Sequence, residues 1–407
     1  MAFHYVDGQL YADRVALTEI AAEAGTPSYV YSRDRVLENW AGIRSAFPQA
    51  DIHYSLKANA NLALVKLLID SGAGLDAVSG GEIFRALRAG ASPGQIVFAG
   101  VGKTRQELAY ALEVGVGWLN VESSQELARI ADIAQTLRKR PRIALRINPA
   151  VLADTHHYIA TGHSAAKFGI PLDEARRLLD EYLDSPTLTI QGLHIHIGSQ
   201  LGNVERTVEA VQAVLPLFDS YPQLTYLNLG GGFPVSYMGE SVTPVGAFAS
   251  ALTACLDGRS LSLLLEPGRS IVADAGILLV EVQYVKASPE GVIVVTDGGM
   301  TELIRPALYG AIHNVLPLRE AANADRLKSH VVGPVCESAD VLRADVLLPP
   351  LAPGDLLAIS HVGAYGAVMG STYNARPRPP EILVEGASWR TIRRRETWDD
   401  LVALEQE

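Results

Sequence analysis

His53-Tyr54-Ser55-Leu56-Lys57-Ala58-Asn59 begins as an apolar, β-type run and stops at a lysine beside a small residue and an asparagine. A helical pattern follows, from about Asn61 to Ser71. An apolar strand with a polar tip and a helix after it is the unit of a β/α barrel, whose active sites lie at that end of the strands. Taken alone, Lys57 reads as an ordinary surface lysine. The rest of the chain changes that reading.

The same unit recurs downstream. Strand-like runs end at Asp76, Gly100, Glu122, the Arg146/Asn148 pair, His196, Gly230 and Glu266. Amphipathic helical stretches lie between them: Leu62–Ile69, Gly81–Arg88, Arg105–Val114, Gln125–Leu137, Leu172–Leu183, Val204–Phe218 and Val245–Leu256. With Lys57 these make eight tips, polar or small, the count expected of a (β/α)8 TIM-like barrel. A doubly wound open sheet is the alternative arrangement of the same units.

After residue 271 the texture changes. Val280–Lys286, Gly291–Thr296, Ser329–Val335, Ala344–Leu348 and Leu356–Ser360 are short β-type runs between Pro and Gly turns. The expected organisation is a barrel over 27–271, with 1–26 and 272–407 forming a β-rich second domain.

Composition narrows the class of function. A chain of 407 residues, 48% hydrophobic and 19% charged, has material for two globular domains. Its net charge of -11 argues against nucleic acid or an anionic membrane as the main partner. No apolar run reaches the ~18 residues of a membrane helix. The two cysteines, Cys255 and Cys336, allow neither a disulfide framework nor a zinc site, and the N-terminus lacks a secretory pattern. A reduced, cytoplasmic setting is the expectation.

Three glycine-rich loops follow late strands: Gly198-Ser199, Gly230-Gly231-Gly232 and Glu266-Pro267-Gly268-Arg269. Barrels often bind phosphate there, because glycine lets backbone amides approach an anion closely. A phosphate cradle, a strand-tip lysine and a strand-tip carboxylate together fit pyridoxal 5'-phosphate. Lys57 would form the Schiff base, Glu266 would keep the pyridine nitrogen protonated, and His196 would stack on the ring. In the second domain, Cys336 beside Glu337 offers an acid, Tyr365 sits among small residues, and Arg305 offers a fork for a carboxylate.

These motifs, in this order, resemble the fold type III pyridoxal phosphate decarboxylases, relatives of alanine racemase and eukaryotic ornithine decarboxylase. They are YSLKAN (54–59), LDAVSGGE (75–82), FAGVGKT (98–104), NVES (120–123), HIHIGSQ (194–200), NLGGGFP (228–234), EPGRS (266–270), RPALYGA (305–311), GPVCES (333–338) and GAYG (363–366). The resemblance implies an alanine racemase-like architecture and a homodimer with shared active sites. It places Asp76 and Glu82 near the cofactor, and Ser199, Gly230, Gly231, Gly232, Gly268, Arg269 and Tyr365 in its cradle. Arg269, Arg305, Tyr309, Glu337 and Tyr365 become substrate contacts, and Cys336 the proton donor.

The segment Asp154–Gly169 resembles the members of that family acting on diaminopimelate more than those acting on ornithine or arginine. It departs from them at His157, usually proline, and Ala166, usually asparagine. The implied reaction is decarboxylation of meso-2,6-diaminopimelate to L-lysine, the last step of lysine biosynthesis. The alternatives are decarboxylation of ornithine, arginine or carboxynorspermidine. Alanine racemase fits less well, because it would use a tyrosine where this chain offers Cys336 and because this chain is longer. A non-catalytic relative that has lost the cofactor fits less well, because Lys57, Glu266 and Cys336 are all present.

Overall fold

The structure, a computed structural model, describes residues 2–151, 167–320 and 325–406. The chain divides into two compact units. One comprises Trp40–Val235 and Ser241–Ser270, the other Met1–Asn39, Ser236–Glu240 and Ile271–Glu407.

The first unit is the barrel. Its strands are Asp51–Ser55, Gly74–Ala77, Ile96–Phe98, Trp118–Val121, Arg142–Arg146, Thr189–His194, Tyr226–Asn228 and Ser262–Leu265. All pair in parallel, and the last closes on the first through Leu264↔Asp51 and Leu265↔Ile52. The open doubly wound sheet is thereby excluded. The strands are nearly continuous apolar runs, as in a parallel sheet covered by helices on its outside. Leu75, Val97, Phe98, Leu119, Val121, Leu145, Leu193, Leu227 and Leu265 are all buried.

What turns each strand into the next helix is written at its tip. Ser79, Thr104 and Ser123 each accept a hydrogen bond from the amide of a glutamate three residues on, at Glu82, Glu107 and Glu126. These N-caps satisfy amide groups that have no partner within the helix. Because the strands all run parallel, their tips lie at one end of the barrel.

The second unit is a nine-stranded sheet with a small three-stranded sheet, Phe3–Val6, Gln9–Ala12 and Val15–Ala16. Its central strand, Gly276–Ser288, pairs antiparallel with Ser28–Ser32 and Gly291–Thr296. Ser28–Ser32 also pairs in parallel with Glu381–Glu385. The boundary expected at residue 27 is therefore corrected, and 27–39 belongs to the β unit. Ser28-Tyr29-Val30-Tyr31-Ser32 is buried at every position, so both faces of this strand need covering, which a sheet interior supplies. Val30, Ile277, Leu279, Ala358, Ile382 and Val384 form the core there with Leu10, Leu17 and Ile20.

Candidate active site

The barrel brings two buried carboxylates and a lysine to the same end. Glu266, 7% exposed, follows the last strand. Its Oε1 accepts the side-chain amides of Asn120 at 2.8 Å and Asn228 at 2.6 Å, from two other strands. His194 Nε2 stands 3.5 Å from Oε2 without hydrogen-bond alignment. Asp76 is fully buried. Its Oδ2 accepts the Ser55 hydroxyl at 2.6 Å and lies 3.6 Å from Lys57 Nζ. The lysine side chain remains 42% exposed, open to a ligand.

Electrostatics follow from that crowding. Burial, then the charge of Asp76, pushes the Glu266 carboxyl from an ordinary 4.5 up to about 8. Lys57 and the two asparagine amides oppose the rise only partly. Glu82 is half-buried and accepts the Val78 amide at 2.8 Å. Burial pushes it to about 7, with Asp76 adding and the Val78 amide and Lys57 subtracting. Loss of surrounding water, then Arg146 and Lys57, holds His196 well below the usual histidine range. His196 is therefore neutral at pH 7, an uncharged flat ring.

The glycines surround that ring. At Gly230, φ is +64°, and a Cβ would stand 2.5 Å from His196 Nδ1. At Gly231 a Cβ would stand 2.4 Å from the Glu266 carbonyl oxygen. Gly232 has φ +97°, and its Cβ would meet the Gly198 oxygen at 2.6 Å. The Gly231 amide points at His196 Nδ1 from 3.4 Å, and Asn228 Oδ1 accepts the Gly230 amide at 2.8 Å. One asparagine thus holds both Glu266 and the turn. Arg269 Nε donates to Ser199 Oγ at 3.2 Å, and Gly268 packs on Ser55 and Ala58. The loops after strands one, six, seven and eight form one cradle.

Gly230→Ala is expected to cost about 1–2 kcal/mol from the left-handed backbone alone, plus displacement of the His196 ring. Cofactor titration should show affinity weakened roughly 10-fold or more. An unchanged titration would mean that the ring is not seated by this glycine.

Several functional residues escaped the sequence reading. Asn120, His194 and Asn228 lie inside quoted motifs, but had been given no role. Glu122 and Arg146 had been noted only as strand tips. They form a buried pair at 2.6 Å, and Glu122 Oε2 accepts the Gly169 amide at 3.1 Å. The Arg146 guanidinium lies 4.7 Å from the Phe168 ring centre. The Lys167-Phe168-Gly169 end of the 154–169 segment is anchored this way. The rest of it, including His157 and Ala166, lies outside the described residues.

The remaining candidates sit in the β unit. Arg305 is 7% exposed, at the start of the short helix Arg305–Tyr309, and Tyr309 is half-buried. Tyr365 has φ +58°, unusual for a residue with a bulky side chain. Cys336 and Glu337 are exposed on a loop pinned by the buried carboxylate of Asp340. That carboxylate accepts the amides of Met300 at 2.6 Å and Val335 at 2.7 Å.

The barrel residues fit pyridoxal phosphate. Lys57 offers a primary amine for its aldehyde. Glu266 holds a proton at neutral pH that a ring nitrogen can share. Asp76 Oδ1, Asn120 Oδ1 and both His194 nitrogens are buried polar atoms without a hydrogen-bond partner. Such atoms are rare in finished cores and suit a polar ligand. Among the described residues no group of His, Cys, Asp and Glu could hold a metal.

Fold and cradle define a barrel-type pyridoxal phosphate enzyme. Residues 33–273 match the family described as pyridoxal-dependent decarboxylase, pyridoxal binding domain. A diaminopimelate decarboxylase from Aquifex aeolicus is 43% identical over 403 residues, 98% of this chain and 96% of the relative. The crystal structure of diaminopimelate decarboxylase from Helicobacter pylori complexed with L-lysine superposes with TM-score 0.92 at 41% identity, covering 96% and 99% of the two chains. That of the M. jannaschii enzyme in co-complex with L-lysine gives 0.94 at 34% identity, covering 100% and 98%. The chain belongs to the pyridoxal-dependent decarboxylases, and within them to the diaminopimelate decarboxylase family.

Proposed function

We propose that this chain decarboxylates meso-2,6-diaminopimelate to L-lysine and CO2, the last step of lysine biosynthesis, as a cytoplasmic homodimer. The observation that carries the chemistry is Glu266, kept protonatable by burial and Asp76 while two asparagines fix its direction. The full-length likeness to diaminopimelate decarboxylases supports the substrate. Among the described residues no helix is long and apolar enough to cross a membrane.

When bound, pyridoxal phosphate supplies an electron sink for the carbon that loses CO2. Lys57 Nζ is the amine that would hold the cofactor. Asp76 Oδ2 lies 3.6 Å from Lys57 Nζ and would help to place it. Glu266 would keep a proton on the ring nitrogen, and neutral His196 would offer an uncharged face to the ring without competing for that proton. The Gly230-Gly231-Gly232 turn, with Ser199, Gly268 and Arg269, would hold the phosphate. Glu82 and Tyr365 are further cofactor neighbours.

The α-carboxylate leaves as CO2, its bonding pair stays at Cα, and the Cys336 thiol returns one proton there. Arg305 takes the distal carboxylate and Glu337 the distal ammonium, with Tyr309, Tyr365 and Arg269 around them. The Cys336–Glu337 loop serves the site of the partner subunit.

The test is lysine and CO2 release by the purified protein, loaded with pyridoxal phosphate, from meso-diaminopimelate. Ornithine, arginine and carboxynorspermidine are run in parallel. Lysine from diaminopimelate, with little turnover of the others, is the expected result. Preference for another substrate would keep the fold and cofactor but move the specificity.

A further inference from the structure

The proposed carboxylate-binding arginine is held by a histidine that no motif singled out. His313 is fully buried. Its Nδ1 lies 2.9 Å from the Ser360 carbonyl oxygen, and its Nε2 lies 3.0 Å from Arg305 Nη1. A carbonyl can only accept, so Nδ1 carries the proton. A guanidinium can only donate and stays charged, so Nε2 offers its lone pair. Both partners of the ring therefore demand the same neutral tautomer.

Tyr237 completes the holder. Its ring centre is 5.0 Å from the Arg305 guanidinium, in cation–π range, and 5.4 Å from His313, edge to face. His313 fixes one edge of the guanidinium and Tyr237 one face. A planar fork binds a carboxylate through two parallel N–H bonds only if its plane is set beforehand. The Ser360 carbonyl sits just past the strand Leu356–Ile359, in the sheet interior, so the reference point is rigid.

We infer that His313 is the positioning residue that orients Arg305 toward the distal carboxylate of the substrate, and so sets selectivity for a substrate carrying one. The inference rests on the proposed role of Arg305. His313 touches neither cofactor nor reacting atoms in this role, so its loss acts on binding rather than on chemistry.

Two isosteres separate its nitrogens. A glutamine amide reaches the Nε2 position and can present an acceptor to Arg305. An asparagine amide ends at the Nδ1 position and cannot. In the full-length holoenzyme, His313→Asn is expected to raise KM for meso-diaminopimelate about 10- to 100-fold, the effect of losing a hydrogen bond to a charged group. Its kcat should stay within about 3-fold, and preference over ornithine should fall by the KM factor. His313→Gln should retain most of the wild-type KM. In an Arg305→Lys background the difference between Asn and Gln should disappear.

Equal KM values for the Asn and Gln variants, or a fall in kcat at unchanged KM, would overturn the inference. If His313→Asn does not fold, Tyr237→Leu supplies the test, with the same KM rise expected and an unchanged KM overturning it. Wild-type enzyme that prefers a substrate without a distal carboxylate refutes the Arg305 role itself. Wild-type preference for diaminopimelate without an Asn–Gln difference refutes only His313.

Discussion

Lys57→Ala is expected to abolish decarboxylation and the visible absorbance of covalently bound cofactor, while leaving the fold intact. The side chain is 42% exposed and contacts Asp76 at 3.6 Å, so its removal deletes little packing. The melting temperature should move by about 2 °C or less. Turnover should fall by at least about 10³-fold, because the amine that would hold the cofactor is lost. No neighbouring amine is placed to substitute. Lys103 is fully buried and donates to Glu126 Oε1, the Gly100 oxygen and the Asn120 oxygen, at 2.6, 2.8 and 2.7 Å. Retained turnover with normal absorbance would remove Lys57 from the mechanism. The same variant tests the shared site: mixing inactive Lys57→Ala chains with inactive Cys336→Ala chains should restore activity. If it does not, each site is built from one chain.

How far the sequence carried this picture depends on how local the signals are. The barrel was legible because its strands stop at polar or small residues and several of the following helices start with their own cap, as at Ser79, Thr104 and Ser123. Both features are written within a few residues of each other. The strand Ser28–Ser32 was recognisable as a strand, but not as part of the β unit. Its partners, Gly276–Ser288 and Glu381–Glu385, lie far along the chain, and periodicity says nothing about pairing at that distance. The Glu381–Glu385 and Ser388–Arg393 hairpin went unread because its second strand, Ser-Trp-Arg-Thr-Ile-Arg, mixes apolar with polar and charged residues without a clean alternation of burial.

The site shows the same division. Lys57 and Glu266 end strands and stood out as tips. Asn120 and Asn228 point into the barrel from within strands and acquire meaning only through Glu266, 146 and 38 residues away. His313 is eight residues from Arg305, yet its tautomer depends on Ser360, 47 residues on. Residues that do chemistry tend to sit where the pattern breaks. Residues that aim them sit inside the pattern, where a polar side chain looks like any other core position.

Glu266→Gln should reduce kcat about 10²- to 10³-fold while preserving the fold, a loss in the range of one preorganised group acting on developing charge. The substitution is nearly isosteric. Its carbonyl oxygen can still accept from Asn120 and Asn228, which meet on one oxygen of the carboxylate. What disappears is the titratable group proposed to face the ring nitrogen. That loss has a second signature in the cofactor-free protein. The folded pKa of about 8 lies above the ordinary 4.5, so between those values the folded chain keeps a proton that the unfolded chain has released. Stability from this group is therefore full below the unfolded value, and is lost as pH rises toward 8. Glu82, raised to about 7, adds a slope of the same sign over a narrower window. Melting temperatures of cofactor-free wild type should fall across this range, and the Gln variant should keep only the Glu82 part. Bound cofactor should flatten the wild-type curve, because a protonated ring nitrogen favours the carboxylate that burial disfavours. An identical pH slope in wild type and Glu266→Gln would mean that Glu266 is ionised before the cofactor arrives. Its carboxylate would then have to be stabilised by something other than the ring nitrogen.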